Sequence, residues 1–344
     1  MTEEQRNNLK NQIDVLCIGD TVVEPFIKLE KAEVHCNIDN VGCTITLPFG
    51  AKIPYESATV CAGVGNSANA AVSIARLGLK SSIATELGDD ENGKLCLDNF
   101  KNEKVDIKNV VIHKNIPTNY HYVLWYPPER TILVKHNTFP KKLIEENFSS
   151  NNIPPKYLYL SSLPADSLQY HNEIISWLKK NRHVKLVFQP GTFQMKLGVE
   201  ALRALYTMCH VFIVNKEEAQ YILSTNENEM QKLLEKTQKL GPEIVCITDG
   251  PNGAYMRAGG KNYYMPIYPD PKPPLERTGC GDAFASTFTA MLSLGKTPLE
   301  ALHYAPINSM NVVQEIGAQK GLLTMSELET WLRNAPSDYK AVEI

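Results

Sequence analysis

The sequence lacks the features on which membrane and nucleic-acid proteins depend. No apolar run approaches the ~20 residues that a membrane-spanning helix needs. Neither sign of charge is in surplus: 35 Lys and Arg stand against 38 Asp and Glu, a net charge of -3. Without a basic footprint there is little to neutralise a phosphate backbone, which argues against a nucleic-acid partner. The eight cysteines contain no C-x-x-C pair and the eight histidines no H-x-x-x-H cluster, so zinc-type spacing is missing. The first residues are polar and carry no apolar core of a secretion signal. No internal repeat or low-complexity tract is evident. These absences lead to the expectation of a soluble, cytoplasmic chain with reduced thiols, in which Cys17, Cys209 and Cys246 are buried in apolar runs.

What is present is an ordinary globular composition, 43% apolar and 21% charged over 344 residues. That length suits one large α/β domain with an appendage. Residues 1–12 read as a solvated lead-in and 13–344 as the domain. Apolar runs at Ile13–Ile18, Ser82–Thr85, Tyr157–Ser161, Val184–Phe188, Val211–Val214 and Ile244–Thr248 predict strands. Between them, helical patterns fall at Gln169–Lys180, Glu229–Leu240, Pro298–Glu315 and Met325–Arg333. This alternation predicts a mostly parallel sheet with helices on both faces. Two stretches break the rhythm. Residues 24–60 and 119–135 are β-leaning, the second with a hairpin signal at Pro127–Arg130, and together they predict a small antiparallel lid inserted twice.

The chemistry concentrates at Glu276-Arg277-Thr278-Gly279-Cys280-Gly281-Asp282-Ala283-Phe284, a glycine-bearing loop running into a helix. A helix begins with backbone N–H groups that lack an internal partner and carry partial positive charge. Glycines let an anion approach those groups closely. Asp282 sits at that positive end, where it is expected to stay ionised and to accept a proton. Taken alone, the loop also reads as ordinary capping chemistry and a tight turn.

Four motifs, in order, carry a resemblance. They are Asn66-Ser67-Ala68-Asn69-Ala70-Ala71 leading to Arg76-Leu77-Gly78, with Gly88-Asp89-Asp90 following; Asn215-Lys216-Glu217-Glu218; Thr248-Asp249-Gly250-Pro251-Asn252-Gly253-Ala254; and Thr278 to Phe284. From about Asp14 to Arg333 the chain resembles the ribokinase-like (PfkB) carbohydrate kinases. The resemblance implies a three-layer α/β/α fold with a β-lid, and an ATP-dependent kinase acting on a hydroxymethyl group of a sugar or nucleoside. It makes Asp282 the general base and the N–H groups of Gly279, Cys280 and Gly281 an anion hole. It gives Asn215 and Glu218 to Mg²⁺ and its waters, and Thr248, Gly250, Gly253 and Thr278 to the nucleotide side.

On the sugar side the resemblance implies Glu24, Gly65, Asn66 and Asn69. Asn66 and Asn69 also suit a helix cap, and Asn215 with Glu218 suits a capping box. Several positions depart from the family. Glu24 stands in place of an Asp, Val64 in place of a Gly, and Cys280 in place of an Ala, where a thiol near a helix start is expected to have a low pKa and to be oxidisable. Glu276-Arg277 replaces the common Asp-Thr, which leaves K⁺ as a candidate cofactor and Arg277 as a candidate phosphate contact. Gln189 opens a segment that is acid-led in relatives. A homodimer through the apolar lid residues Val123, Trp125, Ile132 and Val134 is expected. A nucleoside kinase, with lid aromatics Tyr120, Tyr122, Trp125 and Tyr126 stacking a base, and a catalytically silent binding relative are the alternatives.

Overall fold

The structure, a computed structural model, describes residues 12–36, 43–127, 129–140 and 153–344. The expected lead-in therefore lies outside the described residues except for Gln12, whose Nε2 donates to the Pro154 carbonyl at 2.8 Å. Pro128, in the expected hairpin, also falls outside them.

In chain order the first half contains β1 (Val15–Ile18), β2 (Val22–Leu29), β3 (Glu33–His35), β4 (Thr44–Thr46), β5 (Tyr55–Val64), α1 (Asn66–Arg76), β6 (Ser81–Gly88), α2 (Glu91–Asn102), β7 (Asp106–His113), β8 (Asn119–Tyr120), β9 (Tyr122–Tyr126) and β10 (Glu129–Leu133). The second half contains β11 (Tyr157–Leu160), α3 (Leu168–Lys180), β12 (Lys185–Phe188), α4 (Thr192–Ala201), α5 (Arg203–Met208), β13 (Cys209–Asn215), α6 (Lys216–Ile222), α7 (Met230–Gln238), β14 (Ile244–Thr248), β15 (Ala254–Ala258), β16 (Lys261–Met265), α8 (Cys280–Ser293), α9 (Pro298–Val312), α10 (Met325–Arg333) and β17 (Val342–Glu343).

A ten-stranded sheet runs β17-β16-β15-β14-β13-β12-β11-β1-β6-β7. From β7 to β14 every pairing is parallel, and β15, β16 and β17 extend the edge antiparallel. The central strands are buried on both faces, as the four residues Val15–Ile18 illustrate. Val15 and Cys17 pack with helices α1, α8 and α9 on one side, while Leu16 and Ile18 pack with α3 and α7 on the other. This is the α/β architecture that the alternating pattern predicts.

The lid is a separate five-stranded sheet, ordered β10-β9-β2-β5 with β8 beside β2. The pairing Val22↔Val64 closes its inner end, so the lid begins and ends outside the expected 24–60 span. The β3–β4 hairpin stands apart. There the expectation of reduced thiols fails: Cys36 and Cys43 form a disulfide with a Cα–Cα distance of 4.1 Å. The cause is local, because the antiparallel pairing His35↔Thr44 sets the position after His35 opposite the position before Thr44. Cys17, Cys209 and Cys246 are free and buried, as expected.

Candidate active site

In the parallel part of the sheet all strands end on the same side, and the loops leaving those ends carry Gly88-Asp89-Asp90, the Asn215–Glu218 box and the turn at 248–253. Helix α8 begins there. Gly279 is its N-cap with φ 83, a left-handed conformation in which a Cβ would lie 2.3 Å from that of Ala318. Glu276 braces the same loop. It is 2% exposed, and its two carboxylate oxygens accept from the N–H of Thr278 at 2.6 Å and of Gly317 at 3.0 Å. Burial pushes its pKa up. Arg277 is exposed.

Asp282, in the first turn of α8, is 7% exposed and surrounded by side-chain amides. Asn66 Nδ2 donates to Oδ1 at 2.8 Å, Asn69 Nδ2 to Oδ2 at 2.8 Å, and Gln189 Nε2 to Oδ1 at 3.1 Å. Asn66 and Asn69 lie one turn apart on α1, so one helix face delivers both amides. Neither is the cap of that helix. Its N-cap is Gly65, at φ 115, where a Cβ would meet the Asp20 carbonyl oxygen at 2.7 Å. The Asn69 carbonyl is held in turn by Gln319 Nε2 at 3.1 Å.

Burial raises the Asp282 pKa above the ordinary carboxylate value, the three amides oppose the rise, and the charge of Glu24 adds to it. At Cys280 the expectation of a low pKa fails: burial first, then the Asp282 carboxylate, push its thiol up. A thiol in that state is a poor target for oxidation.

Asn215 and Glu218 form the capping box of α6: Asn215 Oδ1 accepts from Glu218 N at 2.8 Å, and Glu218 Oε2 accepts from Asn215 N at 2.9 Å. That bonding leaves Glu218 Oε1 outside the box. Burial raises the Glu218 pKa, and the charges of Asp282 and Glu217 raise it further. Among the described residues no group of three or more His, Cys, Asp or Glu is set to hold a bare ion, and the Glu218 Oε1 is a hard donor that suits a divalent cation keeping most of its waters. The register pair Asn215↔Thr248 sets the turn at 248–253 beside it. In that turn Gly250 opens a 3₁₀ segment, Gly250–Asn252, and Asp249 N donates to the Gly253 carbonyl at 2.8 Å.

Glu24 comes from the lid. It is buried in β2, and its Oε1 lies 3.3 Å from His121 Nδ1. His121 is 7% exposed, and its Nε2 has no hydrogen-bond partner among the described residues. The His121 ring meets that of His136, edge-on at 5.2 Å. His136 Nδ1 lies 3.6 Å from Asp20 Oδ2. The sequence reading missed His121, His136, Asp20, Tyr159 and Gln319. Only Gln189 left a trace there, as a departure from its relatives. A cavity of about 650 Å³ lined by Asn92, Tyr120, Tyr122, Leu133, Val134 and Lys135 shares no residue with the Asp282 surroundings. Trp125 is buried under the Lys28 amine and Val123 is fully buried, so neither is on the surface where the expected dimer contact would need it.

A carboxylate positioned by amides beside the open N–H groups of a helix start is equipped to move a proton while an anion is held, which is the work of a kinase. The pattern of the pfkB family carbohydrate kinases matches residues 32–325. The chain belongs to that family. The ribokinase of Bacillus subtilis is 27% identical over 318 residues, covering 86% of this chain and 97% of that protein. A 5-dehydro-2-deoxygluconokinase of Clostridium tetani is 24% identical over 299 residues, covering 80% and 85%. Among solved structures, Arabidopsis thaliana ribokinase complexed with ribose and ATP superposes with a TM-score of 0.77 at 19% identity, covering 94% of this chain and 99% of that one. The nucleoside kinase of Methanocaldococcus jannaschii gives 0.74 at 17% identity, covering 94% and 99%.

Proposed function

We propose that this carbohydrate kinase transfers the γ-phosphoryl group of ATP to a hydroxymethyl group of an uncharged, polyhydroxylated sugar, with Asp282 as the general base. The observation that carries the reading is the Asp282 carboxylate, buried and held on both oxygens by amides at the first turn of α8. Asp282 takes the hydroxyl proton as the alcohol oxygen attacks the γ-phosphorus. The bond to the bridging oxygen breaks, and its electron pair leaves with ADP. The N–H groups of Gly279, Cys280 and Gly281 steady the charge on the migrating group. Asn215 and Glu218 would hold Mg²⁺ through its waters, and the ion would supply charge neutralisation at the phosphates. Thr248, Gly250, Gly253 and Thr278 shape the nucleotide side.

Glu24 and His121 recognise the sugar. If Glu24 Oε1 accepts the Nδ1 proton, His121 Nε2 is left as a buried acceptor that a substrate hydroxyl can satisfy. The charge of Glu24 bears on Asp282, and a sugar carboxylate brought between them would meet like charge, which disfavours a sugar acid.

The test is ADP release over a panel of neutral sugars, aldonic acids and nucleosides. Turnover on a neutral sugar, with Asp282→Ala lowering it by about a thousandfold or more, is the expected result. Preference for an aldonic acid or a nucleoside overturns the substrate assignment. Full turnover by Asp282→Ala overturns the base. The exposed apolar lid residues Tyr55, Val60, Tyr122 and Leu133 support a homodimer, which a solution mass equal to one chain would remove.

A further inference from the structure

One of the amides that hold Asp282 is itself held by a group outside the motifs. Gln189 follows β12, and its backbone N–H donates to the Leu160 carbonyl at 2.9 Å. Its side-chain Nε2 faces Asp282, and its Oε1 accepts a hydrogen bond from the Tyr159 hydroxyl. Tyr159, in β11, is fully buried, and burial followed by the Asp282 charge pushes its phenol well above the usual range. It is therefore a permanent O–H donor.

An amide can present either end to a neighbour, but an ionised carboxylate only accepts. If Gln189 flipped, its carbonyl would face the Asp282 carboxylate and the Tyr159 proton would lose its acceptor. The hydroxyl thus selects the orientation in which nitrogen meets Asp282. The consequence for the carboxylate is an asymmetry. Oδ1 receives both Asn66 and Gln189, at 2.8 and 3.1 Å, while Oδ2 receives Asn69 alone, at 2.8 Å.

We propose that Tyr159 and Gln189 are positioning residues for the base: Tyr159 locks the Gln189 amide, Gln189 completes the donors on Oδ1, and Oδ2 is left as the oxygen that takes the substrate proton. This rests on the assignment of Asp282 as base and goes beyond it. In the transfer the substrate O–H bond breaks, its proton moves to Oδ2, and solvent removes it after the product leaves. The lone pair of Oδ2 that no amide engages is the one available to the hydroxyl. Tyr159 and Gln189 touch neither sugar nor nucleotide in this arrangement and act only through Asp282.

The test is the pH dependence of kcat for the full-length enzyme with ATP, Mg²⁺ and whichever panel substrate is turned over. The ionisable groups that bear on Asp282 are Glu24 from β2, Glu218 from α6, Tyr159 from β11 and Cys280 from its own helix. An N–H donor favours the charged carboxylate, so losing one raises the pKa of the base and moves the acid limb of kcat to higher pH. Tyr159→Phe keeps the ring and its packing. It and Gln189→Leu should each lower kcat about tenfold, the scale of one hydrogen bond to a charged group, with KM for ATP unchanged. Gln189→Glu places a second carboxylate against Oδ1, should move the limb furthest, and should regain activity as pH rises. A merely structural role would lower thermal stability and leave the limb in place. If Asp282→Asn is inactive while all three variants keep the wild-type acid limb, the proposal is overturned and the base assignment stands. If Asp282→Asn turns over at the wild-type rate, the base assignment itself falls.

Discussion

The two larger sheets of this kinase are built to opposite specifications. In the large sheet, β1 and β6 are buried along their whole length, and α8 above it is buried from Asp282 through Leu292. In the lid, β2 is buried from Val22 to Phe26, where it meets the core, whereas β5 is exposed from Tyr55 to Val60. The lid is thus anchored at one end and open at the other. Proton transfer is assigned to the rigid floor, where Asp282, Asn66, Asn69 and Gln189 meet, and recognition to the anchored end of the lid, where Glu24 and His121 meet. Stability and chemistry share the floor, while specificity can vary above it.

Four substitutions probe that division. The largest effect is expected in the floor. Phe288, fully buried and stacked on Phe284 at 6.3 Å, should cost about 3–5 kcal/mol of folding stability when replaced by Ala, measured by urea unfolding. A loss under 1 kcal/mol would mean that the core around α8 relaxes more than its burial implies. At the anchored end of the lid, Glu24→Gln and His121→Phe should raise KM for the sugar roughly 10- to 100-fold and change kcat much less. A fall in kcat at constant KM would move these residues from recognition to chemistry. At the free end, Val60, 57% exposed, should tolerate Ala within about 0.5 kcal/mol in the monomer. A larger loss that depends on protein concentration would instead place this edge in a subunit interface.

The parallel core was legible because its strands are continuous apolar runs between turn residues. Ile244–Thr248 and Met325–Arg333 agree with the observed elements to the residue. The antiparallel extension was not. Ala254–Ala258 and Lys261–Met265 mix buried and half-buried positions with no clean period, and Val342–Glu343 is too short to signal anything. The site divides in the same way. Asp282 and its glycines are neighbours in sequence and could be read as a unit. The amides that orient Asp282 arrive from α1 and β12, 216, 213 and 93 residues away, and no local pattern reports such a meeting. Glycine and Asn in the first motif read equally well as cap or ligand; only the fold shows that both Asn side chains point at the carboxylate. Desolvation of Cys280 and Asp282 was hidden for a related reason, since the alternation of residues along a helix does not reveal what covers its first turn.

The brace beneath the anion loop carries a consequence of its own. Glu276 joins that loop to Gly317, and Gly279 leans on Ala318, so the amide-lined cradle is completed by a segment that follows α9. The backbone around Gly279 is therefore held by contacts from a distant part of the chain. A bulky residue introduced at 318 would reach the reaction centre through the backbone alone, and a survey confined to residues that touch ligands would pass over it.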